Sequence, residues 1–323
     1  MGRVVSQMDD IDNQVHDKSI QIEATCTVPD IGKDVLFTSF IWNPALMNGA
    51  AITTNKGQVW LVTLTRGSIE RTQQIPILSN METWCVAIAD PIDNSSQYMV
   101  YSGSDDGILR FTSLRMLAQN RAPAEKDKPL PSTKSGVIEG DTDIALWEQS
   151  FSHGPHMIGE FPTTSRLIKN QHNAGVTAIL PLPIWKAGTG LIATGSYDEY
   201  FRVFVVRNPQ DIPVPPELLF EQSLGGGVWK LKLMNFYTSE SEGNACSMTA
   251  DILASCMHAG PKILRLHVAA RNGVDTVTME VVHEFEGHTL NYASDCQRLD
   301  SGEIHYATTS FYDKKLHWWT QTP

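Results

Sequence analysis

The residues of this sequence best suited to chemistry are a histidine and several aspartates that occupy equivalent places in repeated short motifs. The histidine is His258, and the aspartates include Asp198 and Asp313. An imidazole titrates near neutral pH, so His258 is a candidate general base, and the two carboxylates are candidates for acid–base work beside it. The alternative is structural. An aspartate in such a turn can bond the turn backbone and a histidine such as His172 or His288, and His258 can satisfy its own turn.

A side-chain nucleophile is harder to find. The five cysteines are scattered and none forms a Cys-x-x-Cys pair, which indicates reduced, mostly core cysteines in a cytosolic protein. Cys256 lies two residues before His258, so a thiol–imidazole pair could form only around the turn, and packing in the core is the favoured interpretation. The sequence contains neither Gly-x-Ser-x-Gly nor His-Glu-x-x-His. We therefore expect no α/β-hydrolase triad, no metal and no cofactor.

The candidate residues lie in one unit that occurs five times: a strand of small residues, a tight polar turn and a second, apolar strand. The copies span residues 51–62, 100–111, 192–204, 253–264 and 307–319. A WD-type propeller blade occupies about 40–45 residues, so most copies are one blade and its loops apart. The sequence predicts an all-β WD-repeat β-propeller in which residues 1–323 form a single domain.

Two further patterns complete this prediction. Inner strands of the blades are expected at 84–89, 172–179 and 226–233, and Gly287-His288 matches the dipeptide that opens a WD repeat. The long interval between the second and third copies holds a Pro/Lys/Ser-rich stretch, and we interpret 117–143 as a flexible surface insertion. Beyond it, 157–161 resembles strand material that completes a neighbouring blade.

The amino-acid composition argues against several kinds of binding partner. The chain has 25 Lys and Arg against 36 Asp and Glu, a formal net charge of −11, which argues against a nucleic-acid-binding groove. No run of about 18 apolar residues is present, and the first residues lack the apolar centre of a signal peptide, so we expect neither a membrane nor nucleic acid as partner.

The repeats also contain unusual strings. The most specific are Cys256-Met257-His258-Ala259-Gly260 and Ser310-Phe311-Tyr312-Asp313. Together with 101–107, 193–199 and 226–229, this series resembles the diphthine methylesterase family, the WD-repeat protein of diphthamide biosynthesis. The resemblance extends from about residue 37 to residue 319.

The resemblance implies a function. Such enzymes hydrolyse the methyl ester of methylated diphthine, a modified histidine of translation elongation factor two, which would be the protein partner in the cytoplasm. It also implies a ring of seven blades, whereas five are clear here. The first blades are either missing or reduced to a strand at 19–25. A non-catalytic platform that presents the elongation factor to another enzyme is the alternative.

The implied substrate carries a trimethylammonium group, and aromatic faces commonly hold such cations. Aromatic residues beside blade turns or at the starts of inner strands could reach one mouth of the channel, and Glu199 could add negative charge. The net charge of the chain suits the same cation. These aromatic candidates are Trp84, Tyr197, Trp229 and Tyr312. The alternative for each is ordinary packing between blades.

Overall fold

The structure is a computed structural model that describes most of the repeat-bearing chain. The described residues are 4–7, 31–32, 34–43, 49–65, 68–91, 97–118, 157–160, 165–186, 189–207, 216–241, 245–271 and 274–322. The expected strand at 19–25, Cys26 and most of the expected insertion lie outside them.

The described chain forms five antiparallel sheets, because each repeated unit folds back on itself at its polar turn and pairs with strands on either side. Sheet one contains β2–β5, with bounds Phe37–Asn43, Gly49–Thr54, Gln58–Thr65 and Ser68–Leu78. Sheet two contains β6–β10, with bounds Thr83–Ala89, Gln97–Ser104, Leu109–Ala118, Met157–Glu160 and Arg166–Ile168. Sheet three contains β11–β14, with bounds Val176–Lys186, Thr189–Ser196, Tyr200–Arg207 and Glu217–Ser223.

The last two sheets follow the same plan. Sheet four contains β15–β18, with bounds Lys230–Ser241, Ala245–Ser255, Pro261–Arg271 and Val274–Glu284. Sheet five contains β19–β21, with bounds Ser294–Arg298, Ile304–Ser310 and Lys315–Gln321, and is joined by β1, Val4–Gln7. Strand β1 pairs antiparallel with β21, as in Val4 opposite Gln321. The all-β WD-repeat propeller is confirmed as the fold class, with five sheets in the described residues.

Hydrophobic side chains fill the spaces between successive sheets. Successive residues of a strand point to opposite faces of its sheet, so each sheet can pack against a neighbour on either side. Val59 and Val100 share the core between sheets one and two, and Tyr101 and Phe204 share that between sheets two and three. Phe201 lies in the core between sheets three and four. The fourth core is centred on Phe285, Ile263 and Tyr306, between sheets four and five. The sheets therefore stack face to face in chain order.

Three boundaries differ from the sequence prediction. Strands β11 and β15 begin at Val176 and Lys230, later than expected, because the preceding residues cross from one sheet to the next. Strand β8 continues to Ala118, so the first two residues of the expected insertion belong to a strand. The expected strand at 157–161 is confirmed as β9, which pairs with β8 at Arg115–Ala118, while β10 pairs with the start of the same strand.

The part of the chain that the structure describes contains no candidate for a membrane-spanning helix.

Candidate functional site

The candidate site lies at one end of the propeller, which we call the turn face. It is the end at which the second strand of each sheet turns into the third. Because strands alternate in direction, the first strand of each sheet begins at this same end. Side chains at both places therefore approach one another around the centre.

Trp229 reaches this centre through a close backbone passage between sheets three and four. A Cβ at Gly226 would lie 2.2 Å from the carbonyl oxygen of Cys256, and one at Gly227 would lie 2.6 Å from Sδ of Met257. At Gly226 only glycine fits, because the neighbouring atom belongs to the backbone and cannot move aside as a side chain can. The N–H of Val228 then donates to the carbonyl of Ser196, and that of Trp229 donates to the carbonyl of Ser255. These bonds fix the indole at the start of β15.

Three aromatic rings meet around this indole, and we call the four together the aromatic cluster: Trp84, Tyr197, Trp229 and Tyr292. The centroid of the Trp229 ring lies 5.9 Å from that of Trp84, 5.4 Å from that of Tyr197 and 5.1 Å from that of Tyr292. The planes are tilted or perpendicular, so the rings do not stack flat on one another. Three of the expected cation contacts are thus brought together, each supplied by a different sheet.

Asp105 brings a negative charge to the cluster. Its Oδ1 accepts a hydrogen bond of 3.2 Å from Nε1 of Trp84. A Cβ at Gly175 would lie 2.8 Å from that same oxygen and 3.2 Å from Cδ2 of Tyr197, so glycine leaves room for both side chains. Burial raises the pKa of Tyr197 to about 12, with Tyr292 and the charge of Asp105 adding to the shift. The phenol is therefore neutral at physiological pH.

Asp105 and Tyr292 were not found by sequence reasoning. The sequence does contain a signal that could have identified Asp105. Asp105 is the first turn residue after β7, as Tyr197 is after β12. The side chain at this first turn position faces the centre of the propeller, whereas the side chain of the second turn residue, Asp106 or Asp198, bonds to the turn that carries it. Tyr292 lies in the connection ahead of β19, which has no counterpart of the same length in the other repeats.

His258 and Glu199 lie at the edge of the turn face, on the turns of sheets four and three. Nε2 of His258 is 3.9 Å from Oε1 of Glu199, and the two side chains are 59% and 44% exposed. Glu199 adopts φ 73°, the left-handed region, where the turns of sheets one and two carry Gly57 and Gly107. A carboxylate at this position carries a backbone cost that glycine would avoid, which is a frequent property of functional residues.

Asp198 is held by its own sheet. Its carboxylate pairs with Arg202 at 2.9 Å, and both side chains are almost fully buried. It also accepts hydrogen bonds from the N–H groups of Asn173 and Tyr200. Burial raises the pKa of Asp198, but the bonds from Arg202 and the two N–H groups outweigh burial, and the pKa falls below its usual value. The geometry favours the structural alternative for this residue.

The expected bonds between turn aspartates and histidines are replaced by another arrangement. Nε2 of His172 lies 2.9 Å from Oγ1 of Thr194, and the N–H of the next residue, Asn173, donates to Asp198. The reason is the guanidinium of Arg202, which draws the Asp198 carboxylate towards itself.

Sheet five repeats this pattern around Asp313. Nε2 of His288 lies 2.7 Å from Oγ1 of Thr308, which also accepts a bond from Nε1 of Trp319. Asp313 accepts a 3.2 Å bond from Oγ1 of Thr289 and lies 3.6 Å from Nζ of Lys315. Asp313 therefore interacts with other residues of sheet five, and no contact among the described residues joins it to His258.

Two other candidates lie away from the aromatic cluster. Tyr312 is 71% exposed, and among the described residues its ring reaches the cluster through Phe311, which contacts Tyr292. Cys256 is completely buried, and burial raises the pKa of its thiol to about 12. A neutral, enclosed thiol is a poor nucleophile, which supports core packing for Cys256.

Comparison with known proteins identifies two curated relatives. A Dictyostelium discoideum protein named diphthine methyltransferase homolog is 27% identical over 192 residues, covering 58% of this chain and 47% of that protein. Diphthine methyltransferase of Schizosaccharomyces pombe is 32% identical over 149 residues, covering 46% of this chain and 38% of that protein. The resemblance to the diphthine methylesterase family is confirmed. The matches span less than half the length of either relative.

Other comparisons concern whole folds. No family model matches the chain. Among solved structures, a chain of the mitotic checkpoint complex aligns over 91% of this chain with 13% identity and a TM-score of 0.39. The β-propeller domain of Cps50 (Swd1) from Myceliophteria thermophila aligns over 87% with 13% identity and a TM-score of 0.41.

Proposed function

We propose that this chain is a cytosolic carboxylic ester hydrolase that removes the methyl group from methylated diphthine on translation elongation factor two. The observation that carries this proposal is the placement of a histidine–carboxylate pair, His258 and Glu199, on the same face as the aromatic cluster. The names of the two curated relatives supply the substrate class. The diphthine ester would lie across the turn face, with its cation at the rings.

The reaction then needs only water and His258. The imidazole of His258 accepts a proton from water through the ring nitrogen that is not directed at Glu199, as the water oxygen attacks the ester carbonyl carbon. The tetrahedral intermediate collapses with cleavage of the bond between the carbonyl carbon and the methoxy oxygen. The imidazolium returns its proton to the departing oxygen, giving methanol, and the new carboxyl group loses its proton to solvent. Glu199 stabilises the imidazolium between the two steps.

The remaining site candidates have supporting roles in this scheme. Trp84, Tyr197 and Trp229 hold the trimethylammonium group, and Tyr312 extends the apolar surface for the surrounding protein substrate. Asp198 and Asp313 keep the turns of sheets three and five in shape. The negative net charge of the chain favours approach of a cationic substrate.

The test is to incubate the purified chain with elongation factor two that carries methylated diphthine and to follow the modified peptide by mass spectrometry. We expect the peptide to lose the mass of one CH₂ group while methanol accumulates. A gain of methyl groups would instead indicate a methyltransferase, the activity that the names of the two relatives describe. An unchanged ester, under conditions where binding of the elongation factor is measured directly, would replace this proposal with the non-catalytic platform.

A further inference from the structure

The carboxylate of Asp105 lies beside the aromatic cluster and takes no part in the turn networks described above. In the described part of the chain, no Lys, Arg or His side chain pairs with the Asp105 carboxylate. Its Oδ1 receives one neutral donor, Nε1 of Trp84, at 3.2 Å. An ionised carboxylate is acceptor-only, so its second oxygen and its charge remain available to a ligand.

The rings of the aromatic cluster are inclined to one another. Trp229 makes tilted or edge contacts with Trp84, Tyr197 and Tyr292, at centroid separations of 5.1–5.9 Å. A ring face carries partial negative charge and attracts cations, and rings at angles to one another can surround a compact cation. Such a cation has no need of hydrogen-bond acceptors if its nitrogen is fully alkylated.

The backbone that holds these groups is closely packed. Gly175 leaves no room for a Cβ beside Asp105 and Tyr197, and Gly226 leaves none beside the Cys256 carbonyl. The N–H of Asp105 donates to the carbonyl of Glu82, which ties sheet two's turn to the start of its first strand. The cluster is therefore preorganised, which lowers the entropic cost of binding a small ligand.

We infer that Asp105 is the charge-selecting residue of the quaternary ammonium site proposed above, and that Tyr292 supplies a further ring to that site. This inference rests on the proposed function only for the identity of the natural ligand. The trimethylammonium of diphthine would be that ligand, and a free quaternary ammonium compound would occupy the same place. Asp105 is a specificity-determining residue because it distinguishes a cation from a neutral group of the same shape.

The test uses two small probes, choline and its neutral isostere 3,3-dimethylbutan-1-ol, with binding followed by quenching of tryptophan fluorescence. Trp84 and Trp229 lie in the site and report occupancy directly. We expect choline to bind in the millimolar range and the isostere to bind at least tenfold more weakly. Equal affinity for the two probes, or no saturable binding of choline, would overturn the inference.

Single substitutions test which residues contribute to choline binding. Asp105→Asn keeps an oxygen acceptor for Trp84 and should weaken choline binding about tenfold, leaving the isostere unchanged. Tyr292→Leu should weaken choline by a smaller factor. Asp300→Asn, on the turn after β19 at the opposite end of the sheet, is the matched control and should bind choline as the parent does. Unchanged choline affinity in Asp105→Asn would show that the carboxylate plays no part.

The same probes separate this inference from the proposed function. If the ester is hydrolysed but choline does not bind, the quaternary ammonium site is wrong while the hydrolase proposal stands. If choline binds through Asp105 but the ester persists, the site stands and the hydrolase proposal fails.

Discussion

Nε2 of His258 lies 3.9 Å from Oε1 of Glu199, across the junction between sheets four and three. Each residue occupies a turn whose equivalents carry another residue type, and neither side chain is buried. The pair joins two turns that share no strand pairing, so only the stacking of the sheets brings them together. Its position on the same face as the aromatic cluster is the basis for the predictions on catalysis.

Replacement of His258 tests the general base. His258→Ala should reduce ester hydrolysis by about a hundredfold or more, because water then has no positioned proton acceptor. Binding of the elongation factor, measured by surface plasmon resonance, should persist. His267→Ala, a histidine on the exposed side of β17, is the control and should retain activity. Full activity in His258→Ala would remove this residue from the mechanism.

Replacement of Glu199 by glycine should change stability and activity in opposite directions. Glu199→Gly relieves a left-handed backbone at φ 73°, so the free energy of unfolding should rise by about 1 kcal/mol while hydrolysis falls. Lys314→Gly relieves a similar φ of 54° in the turn of sheet five, and should raise stability without loss of hydrolysis. Urea denaturation and ester hydrolysis measure the two effects. Glu199→Gly with undiminished hydrolysis would argue against a role for the carboxylate.

The Asp198–Arg202 pair predicts a dependence of stability on pH. The pKa of Asp198 is below its unfolded value, so its contribution is full above about pH 5 and is lost as pH falls through the folded pKa. Asp198→Asn leaves the buried guanidinium of Arg202 without its closest charge partner and should cost about 3 kcal/mol at pH 7.

The urea midpoint from pH 7 to pH 3 measures this effect. It should fall less steeply in Asp198→Asn than in the parent chain. Parallel profiles for the two proteins would mean that Asp198 does not contribute to acid unfolding.

The glycine passage to Trp229 should tolerate no added methyl group. Gly226→Ala places a Cβ against the Cys256 carbonyl oxygen and should cost about 2 kcal/mol while shifting Trp229 out of the cluster. The fluorescence emission maximum and the thermal midpoint report both effects. Gly32→Ala, whose Cβ would have only an ordinary 3.6 Å contact with Val35, is the control. A Gly226→Ala chain with parental emission would contradict the close approach.

Cys256 should be dispensable for chemistry. Cys256→Ala should retain hydrolysis and lose about 1 kcal/mol of stability, because a buried sulfur is removed from the core between sheets three and four. Iodoacetamide should also leave hydrolysis intact, since the thiol is buried and its pKa is raised. Abolition of hydrolysis by either treatment, with the fold preserved, would point to a thiol nucleophile.

The sequence predicted the strand-turn-strand units well because small residues, polar turns and alternating apolar residues are local signals. All five units appear as paired strands, and the passage through Gly226 and Gly227 could be predicted from the glycines ahead of Trp229. The first strands of sheets three and four were placed too early, because nothing local marks where a crossing ends and strand pairing begins.

The site was harder to predict, since it depends on contacts between sheets. Tyr292 joins Trp229 across the junction of sheets four and five, and no spacing along the chain indicates this contact. Asp105 was overlooked because its neighbour Asp106 has the more familiar turn position. The Arg202 side chain that draws Asp198 away from His172 is four residues further along, on the next strand.

The pairing of β1 with β21 has a consequence for the order of assembly. Strand β1 precedes every other described strand and β21 follows them all, so sheet five cannot be completed until β21 has been synthesised. Sheets one to four each contain strands that follow one another along the chain, and they can form earlier. Until β1 docks, β21 presents an open edge with Leu316 and Trp318 exposed beside it, and such an edge can pair with another chain. Slow docking of this single strand would therefore limit the yield of folded protein, and a bulky tag fused before Val4 would act at that step.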